Sequence, residues 1–278
     1  YNLQKEVVGE NYYPKKLKIY DTTLRDGEQT AGLCFDKHDK LEIAKALDEV
    51  GVDRIEAGMP VVSREDREAV ESIVRANLKA EVWGFARCVK TDIDACADAG
   101  VKRIVCEIAT SPLKMRAWGW QPDSVLNRIV DCLLHAKSRG LYTAFFAVDG
   151  TRTPLDYLKQ VYTKAVKEGK ADEVVIVDTI GVATPETMYY LTRKVKEWVN
   201  VPVHVHTHND FGLGTATTLS AIKAGADCAH VCVNGLGERT GNADLAEIAM
   251  AASVLLDIET NIRMEKLHDI ARKVERIT

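Results

Sequence analysis

Between Leu17 and Asn234 a short apolar run is followed, again and again, by a stretch with helical periodicity, and few architectures accept that alternation. The strand candidates are 17–23, 52–58, 81–88, 103–110, 142–149, 173–179, 202–208 and 228–234. Helical patterns between them include 37–50, 63–76, 122–139, 154–168 and 213–224. Several strands are near-continuous apolar runs, Glu173-Val-Val-Ile-Val177 among them, as parallel strands covered on both faces must be. Gly51, Gly100, Gly140, Gly169 and Gly225 each follow a helical pattern and precede a strand. A glycine there closes a helix in the left-handed conformation without a Cβ clash. Eight such units in about 240 residues predict an α/β fold of the closed (β/α)8 TIM-barrel type rather than an open sheet. No Gly-x-Gly-x-x-Gly follows the first strand, which disfavours a dinucleotide-binding sheet. Residues 1–278 are read as one catalytic barrel domain; 1–16 and 262–278 lie outside the eight units, with a helix expected from Met264 to Ile277.

Composition narrows the partners. A formal net charge of -4 with scattered lysines and arginines offers no basic footprint for nucleic acid or an anionic membrane. No apolar stretch approaches the roughly 20 residues that span a bilayer. The 7 cysteines include no Cys-x-x-Cys pair, and their odd number argues against a disulfide framework; most are expected to be small core residues in a cytoplasmic protein.

In a barrel of this kind the chemistry sits at the C-terminal ends of the strands. The unusual polar residues collect there: Asp21 to Gln29 after the first strand, Glu56 after the second and Arg87 after the third. Asp149 follows the fifth and Asp178-Thr179 the sixth. His204-Val-His-Thr-His208 closes the seventh strand, and Asn234 to Asn242 follow the eighth. Period-two geometry turns His204, His206 and His208 to one face. A pair of strand-end imidazoles with a carboxylate is a metal-binding set that leaves positions open for substrate. His206 and His208 are the expected ligands; His204, lying deeper, orients a ligand or serves structure. Asp26 is the best carboxylate candidate, and Arg25 beside it is a fixed cation able to polarise a carbonyl.

Three segments in order now carry a resemblance: Asp21-Thr-Thr-Leu-Arg-Asp-Gly-Glu-Gln29, His206-Thr-His-Asn-Asp210 and Gly235-Leu-Gly-Glu-Arg-Thr-Gly-Asn242. They resemble the signatures of the isopropylmalate, homocitrate and citramalate synthases, whose barrel is shared with hydroxymethylglutaryl-CoA lyase. Ile55-Glu-Ala-Gly-Met-Pro60 and Phe85-Ala-Arg-Cys88 are similar to synthase segments too. The resemblance covers residue 17 to about residue 255. It implies a divalent metal (Mn, Mg or Zn) held by Asp26, His206 and His208, with Asn242 close by. It implies that Arg25 stabilises charge on a carbonyl oxygen, that Thr179 contacts the substrate carboxylate and that Glu56 holds a polar catalytic position. Arg87 is expected to bind substrate. The implied reaction is condensation of acetyl-CoA with a 2-oxo acid, driven forward by thioester hydrolysis, in a homodimer of amino-acid biosynthesis. Glu28 and Gln29 are expected to be structural or supporting, and Glu238 and Arg239 to pair and shape the eighth loop.

The chain departs from that pattern in three places. Synthases carry Glu-Asp after the fifth strand, where this chain has Val148-Asp149. The loop Ser111 to Trp120 lacks the acid and histidine of synthases, so a different substrate side chain is expected; Trp118 and Trp120 at that mouth read equally as an aromatic lid or as part of a packed surface loop. Synthases also use subdomains C-terminal to the barrel, which would lie beyond Thr278. The alternative is a metal-dependent carbon–carbon lyase acting on a hydroxy acid or hydroxyacyl-CoA. That lyase uses a cysteine in the eighth loop, and Gly235 to Asn242 contains none. A non-catalytic barrel would be expected to have lost its metal ligands.

Overall fold

Parallel pairing runs without a break around the whole sheet in the computed structural model, which describes residues 2–8 and 13–278. The strands are β1 (Lys18–Asp21), β2 (Arg54–Glu56), β3 (Glu81–Arg87), β4 (Arg103–Ala109), β5 (Tyr142–Val148), β6 (Glu173–Asp178), β7 (Val203–Thr207) and β8 (Cys228–Val231). Each pairs with its sequence neighbour, and β8 returns to β1 with Tyr20 opposite His230 and Asp21 opposite Val231. The barrel expected from the sequence is therefore the fold.

Eight helices follow the strands: α1 (Lys37–Val50), α2 (Arg64–Arg75), α3 (Lys90–Asp98), α4 (Pro122–Ser138), α5 (Leu155–Lys167), α6 (Pro185–Trp198), α7 (Gly214–Lys223) and α8 (Leu245–Met250). Local chemistry sets their ends. The Asp36 carboxylate accepts from the amides of His38 and Asp39, and Asp39 answers to the Asp36 amide, so α1 starts with a reciprocal cap. Gly51 closes α1 at φ 93°. Any Cβ there would lie 2.3 Å from the Asn261 carbonyl oxygen. Gly169 behaves differently from the other punctuating glycines. The left-handed residue at that turn is Lys170, at φ 61°. Gly169 is required instead by crowding, since a Cβ would meet Leu133 Cδ1 at 2.7 Å and the Ala165 carbonyl at 2.8 Å.

Strand alternation builds two apolar layers. Outward residues such as Ile19, Ile55, Ile104 and Val205 pack beneath the helices, while Tyr20, Trp83, Phe85, Val105, Phe146 and Val175 fill the interior. The expected strands 17–23 and 228–234 end early, at Asp21 and Val231. Beyond them side chains take over the backbone bonds: the Thr23 amide and hydroxyl both donate to Asp21, and Val233 N donates to Thr23 Oγ1. The expected C-terminal helix is present as a 3-10 turn and α9 (Leu267–Ile277), which docks on α1 through Lys273 and Glu42 at 2.6 Å. No helix among the described residues is long and apolar enough to cross a membrane.

Deep in the barrel Arg54 and Glu173 form a two-pronged ion pair at 2.6 and 2.9 Å, buried on both sides. Removing one partner from such a pair strands the other charge out of water. Glu173→Ala is expected to lower the unfolding free energy by about 3–5 kcal/mol, read from the urea midpoint at constant slope. A loss under ~1 kcal/mol, the size expected of an exposed pair, would mean that water reaches Arg54.

Candidate metal centre

The closing of β8 onto β1 decides what Asp26 can meet. Thr22 N donates to the Val231 carbonyl, and Asp26 N folds back on Thr22 O at 2.8 Å, so the loop after β1 turns its carboxylate over the barrel mouth. On the far side His206 rises from β7, and His208 follows one residue past the strand end, its amide on the Asp178 carbonyl. Asp26 Oδ2 lies 3.0 Å from His206 Nε2 and 3.7 Å from His208 Nε2. The two Nε2 atoms are 3.3 Å apart.

Two nitrogens at that separation are placed as donors to one shared ion about 2.1 Å from each. The three residues are buried and are the trio among the described residues whose ligand atoms could hold a metal together. Donor chemistry fits as well. Burial, with His206 next, pushes the His208 imidazole down to about 3, so it is neutral, as a ligand must be. Burial works to raise the Asp26 carboxyl, but the Arg25 charge and the hydrogen bond to His206 outweigh it and hold it well below the usual carboxylate range. Asn242 sits beside the trio through a backbone bridge to His208. Its amide nitrogen donates to the Leu236 carbonyl, while its buried Oδ1 has no partner among the described residues. That orphaned oxygen is what a ligand or bound water would satisfy.

Arg25 is fixed before any substrate arrives. Its Nε donates to Glu56 at 2.9 Å and its Nη1 to Asp26 at 3.1 Å, and the guanidinium lies over Phe85 with Cζ 4.0 Å from the ring centroid. Glu56, fully buried at the end of β2, thus serves as the anchor that aims the cation. Above them opens a cavity of about 420 Å3 whose wall includes Arg25, Asp26, Phe85, Thr179, His206 and His208.

The remaining sequence candidates divide. Thr179 reaches the cavity, its Oγ1 accepting from the Asp149 amide at 2.7 Å. Arg87 reaches the rim with its Nε bonded to the buried Asp92 at 2.6 Å. Asp149 and Asp178 are not brought to the trio: Asp149 binds Arg152 and Ser111, and Asp178 accepts from Thr151 and the amides of Val182 and Ala183. His204 is a layer deeper, and its partners among the described residues are Glu173, Arg54 and His230, so it orients no ligand. Glu28 bonds Lys40 and the Phe35 amide, a structural role, while Gln29 lines the cavity. Arg239 touches Glu238 at 3.2 Å but grips Asp210 at 2.7 Å and the Thr179 carbonyl more closely, so it ties three loops together. Trp118 and Trp120 stack at 5.7 Å in a side pocket that adjoins the cavity at Arg87, Glu107, Lys114 and Val148. All the cysteines are free, and only Cys34 is exposed.

Comparison with known proteins places this geometry. The HMGL-like family profile matches residues 16–274. This chain belongs to the HMGL-like family. Among its relatives, a probable 2-isopropylmalate synthase of Methanopyrus kandleri is 49% identical over 266 residues, 95% of this chain and 53% of that protein. A homocitrate synthase of the same organism is 44% identical, covering 97% of this chain and 68% of its own length. An (R)-citramalate synthase of Methanocaldococcus jannaschii is also 44% identical, over 94% and 53%. The chain spans about half the length of the first curated relatives it matches. In overall fold it is similar to the hydroxymethylglutaryl-CoA lyase of Bacillus subtilis, with a TM-score of 0.86 at 20% identity over 95% of this chain and 94% of that one. The likeness to the Pseudomonas aeruginosa lyase, TM-score 0.83 at 22% identity over 95% and 94%, again concerns the fold.

Two residues of this HMGL-like barrel escaped the sequence reading. Glu107 is on β4, opposite Phe146 of β5, and lines the cavity. Lys114, on the short helix Pro112–Ala117, lines it too. The signal for Glu107 was present: a lone acid at an inward register within Ile104-Val-Cys-Glu-Ile108, a run otherwise apolar. Lys114 lies on a helix of only 6 residues after the strand, too short for its periodicity to point to a face.

Proposed function

We propose that this HMGL-like protein condenses acetyl-CoA with a 2-oxo acid in a divalent-metal-dependent Claisen reaction, acting in amino-acid biosynthesis. One observation carries the reading: Asp26, His206 and His208 converge at the mouth of a cavity with Arg25 locked beside them. An ion held by that trio, whether Mn, Mg or Zn, supplies Lewis-acid polarisation of the carbonyl. Asn242 would add its free Oδ1 at the same centre.

The protein's own groups supply the rest. Arg25, already oriented by Glu56, stabilises the negative charge that grows on the keto oxygen as the new carbon–carbon bond forms. Since Glu56 and Phe85 hold the guanidinium in place, little reorganisation accompanies the reaction. Thr179 and, from the rim, Arg87 contact the carboxylate of the 2-oxo acid. Thioester hydrolysis then releases coenzyme A. The cleavage alternative has less support. The cysteine next to the centre, Cys232, is fully buried, bonds Thr22 and Asn242, and has its thiol pushed well up by burial, so it is a poor nucleophile or acid.

The reading is tested by thiol release from acetyl-CoA across a panel of 2-oxo acids, using the full-length gene product with Mn, Mg or Zn. Release that needs both the metal and one 2-oxo acid is the expected result. Acetyl-CoA produced from a hydroxyacyl thioester, with no 2-oxo-acid-dependent thiol, would replace condensation by cleavage. The expected homodimer belongs to the same proposal and is read by sedimentation.

A further inference from the structure

Every carboxylate around the cavity except one is already engaged. Asp26 faces Arg25 and the two imidazoles, Glu56 holds Arg25, Asp92 holds Arg87, Asp149 holds Arg152, and Glu238 meets Arg239. Glu107 is different. It projects from the inner face of β4 into the same cavity as Arg25, Asp26 and His206, and its carboxyl has no hydrogen bond or ion pair among the described residues. From β5 its neighbours are Phe146 and Val148, which are apolar. The charged groups that face it are Arg25 from the loop after β1, Glu56 from β2, Arg87 from β3 and Lys114 from the short helix. A half-buried carboxyl with no side-chain partner, set beside Phe146 and Val148, is less well solvated as an anion than one in water. Burial accordingly pushes its pKa up to about 7, with Glu56 adding to the rise and Arg25, Lys114 and Arg87 opposing it.

We propose that Glu107 is the proton-transfer residue of this cavity, taking a proton from the carbon next to the thioester carbonyl of the acyl donor. The inference rests on the condensation reading above. In the step the C–H bond breaks and the proton goes to a Glu107 carboxylate oxygen. The freed electron pair forms the bond to the keto carbon of the 2-oxo acid, and the keto π pair moves onto its oxygen. That oxygen then takes up the proton from Glu107, which restores the carboxylate and leaves a hydroxyl group. A base with a pKa near the working pH combines a sufficient ionised fraction with adequate strength. β5 turns the apolar Phe146 and Val148 toward the cavity, so β4 provides the carboxylate.

The test compares wild-type, Glu107→Gln and Glu107→Asp full-length protein, with metal, acetyl-CoA and the 2-oxo acid that gives the fastest thiol release. Glu107→Gln keeps the shape and loses the base, so kcat is expected to fall about 100-fold or more. Its KM for the 2-oxo acid and its bound metal should stay near wild type, and exchange of acetyl methyl hydrogens with deuterated solvent should be lost. The wild-type rate should rise with pH through about 7, where Glu107 ionises; the Gln variant should lose that limb and the Asp variant keep it. A wild-type profile flat through that range overturns the proposal without reference to any variant. So does a Gln variant that keeps its rate within a few-fold or retains the acid limb while wild type is active. Wild-type protein that releases no thiol with any 2-oxo acid overturns the condensation reading, and this assignment with it.

Discussion

Replacing His208 with Ala is expected to remove bound divalent metal and activity together. The loss follows from how few donors there are. Asp26, His206 and His208 are the three converging side chains, and all are buried; Asn242 beside them offers only a neutral amide oxygen, a weaker donor than the missing imidazole nitrogen. Changing a group that merely supports a metal ligand weakens binding about 10–100-fold, and deleting a ligand should exceed that. Elemental analysis after dialysis, beside a thiol-release assay, measures both losses. Metal content equal to that of the unmodified protein would dismiss the trio as the metal site, however close its atoms lie.

The second large effect concerns Arg25. Arg25→Ala should reduce turnover about 100-fold or more while metal stays bound, the scale seen when a charge-stabilising donor is removed. The structure adds a cost that the loop sequence did not disclose. Glu56 is fully buried and its carboxylate is held by Arg25, so the Ala variant also strands an acid out of water and should be less stable. Burial already raises the Glu56 carboxyl despite Arg25, and without the guanidinium it should take up a proton more readily still. Arg25→Lys separates the two effects, because the charge remains while the planar fork across Glu56 and Asp26 is lost. Its turnover should fall between those of Ala and wild type, with stability close to wild type. Near-normal turnover in the Ala variant would reduce Arg25 to a loop support.

The barrel was legible because strands such as β6, buried on both faces, must be written as unbroken apolar runs, and because glycines such as Gly51 mark left-handed helix ends. The trio was legible because side-chain chemistry concentrates at strand ends in this fold. What sequence could not supply was depth and commitment. His204 shares its face with His206, yet one step along the strand places it against Glu173 rather than the cavity. Asp149 and Asp178 stand at the expected strand ends but hold their own loops, a distinction that depends on contacts far along the chain. Glu107 was passed over for the opposite reason: an isolated acid inside an apolar strand reads as an interruption until its neighbours β3 and β5 show that it faces open space.

The pairing of β8 with β1 also orders events in time. During synthesis Asp26 leaves the ribosome long before His206 and His208, and it is β8, ending at Val231, that seats the first strand beside the last. Asp26 and the two histidines are therefore brought together across the closed sheet. An ion held by the trio would span the seam where the two ends of the sheet meet.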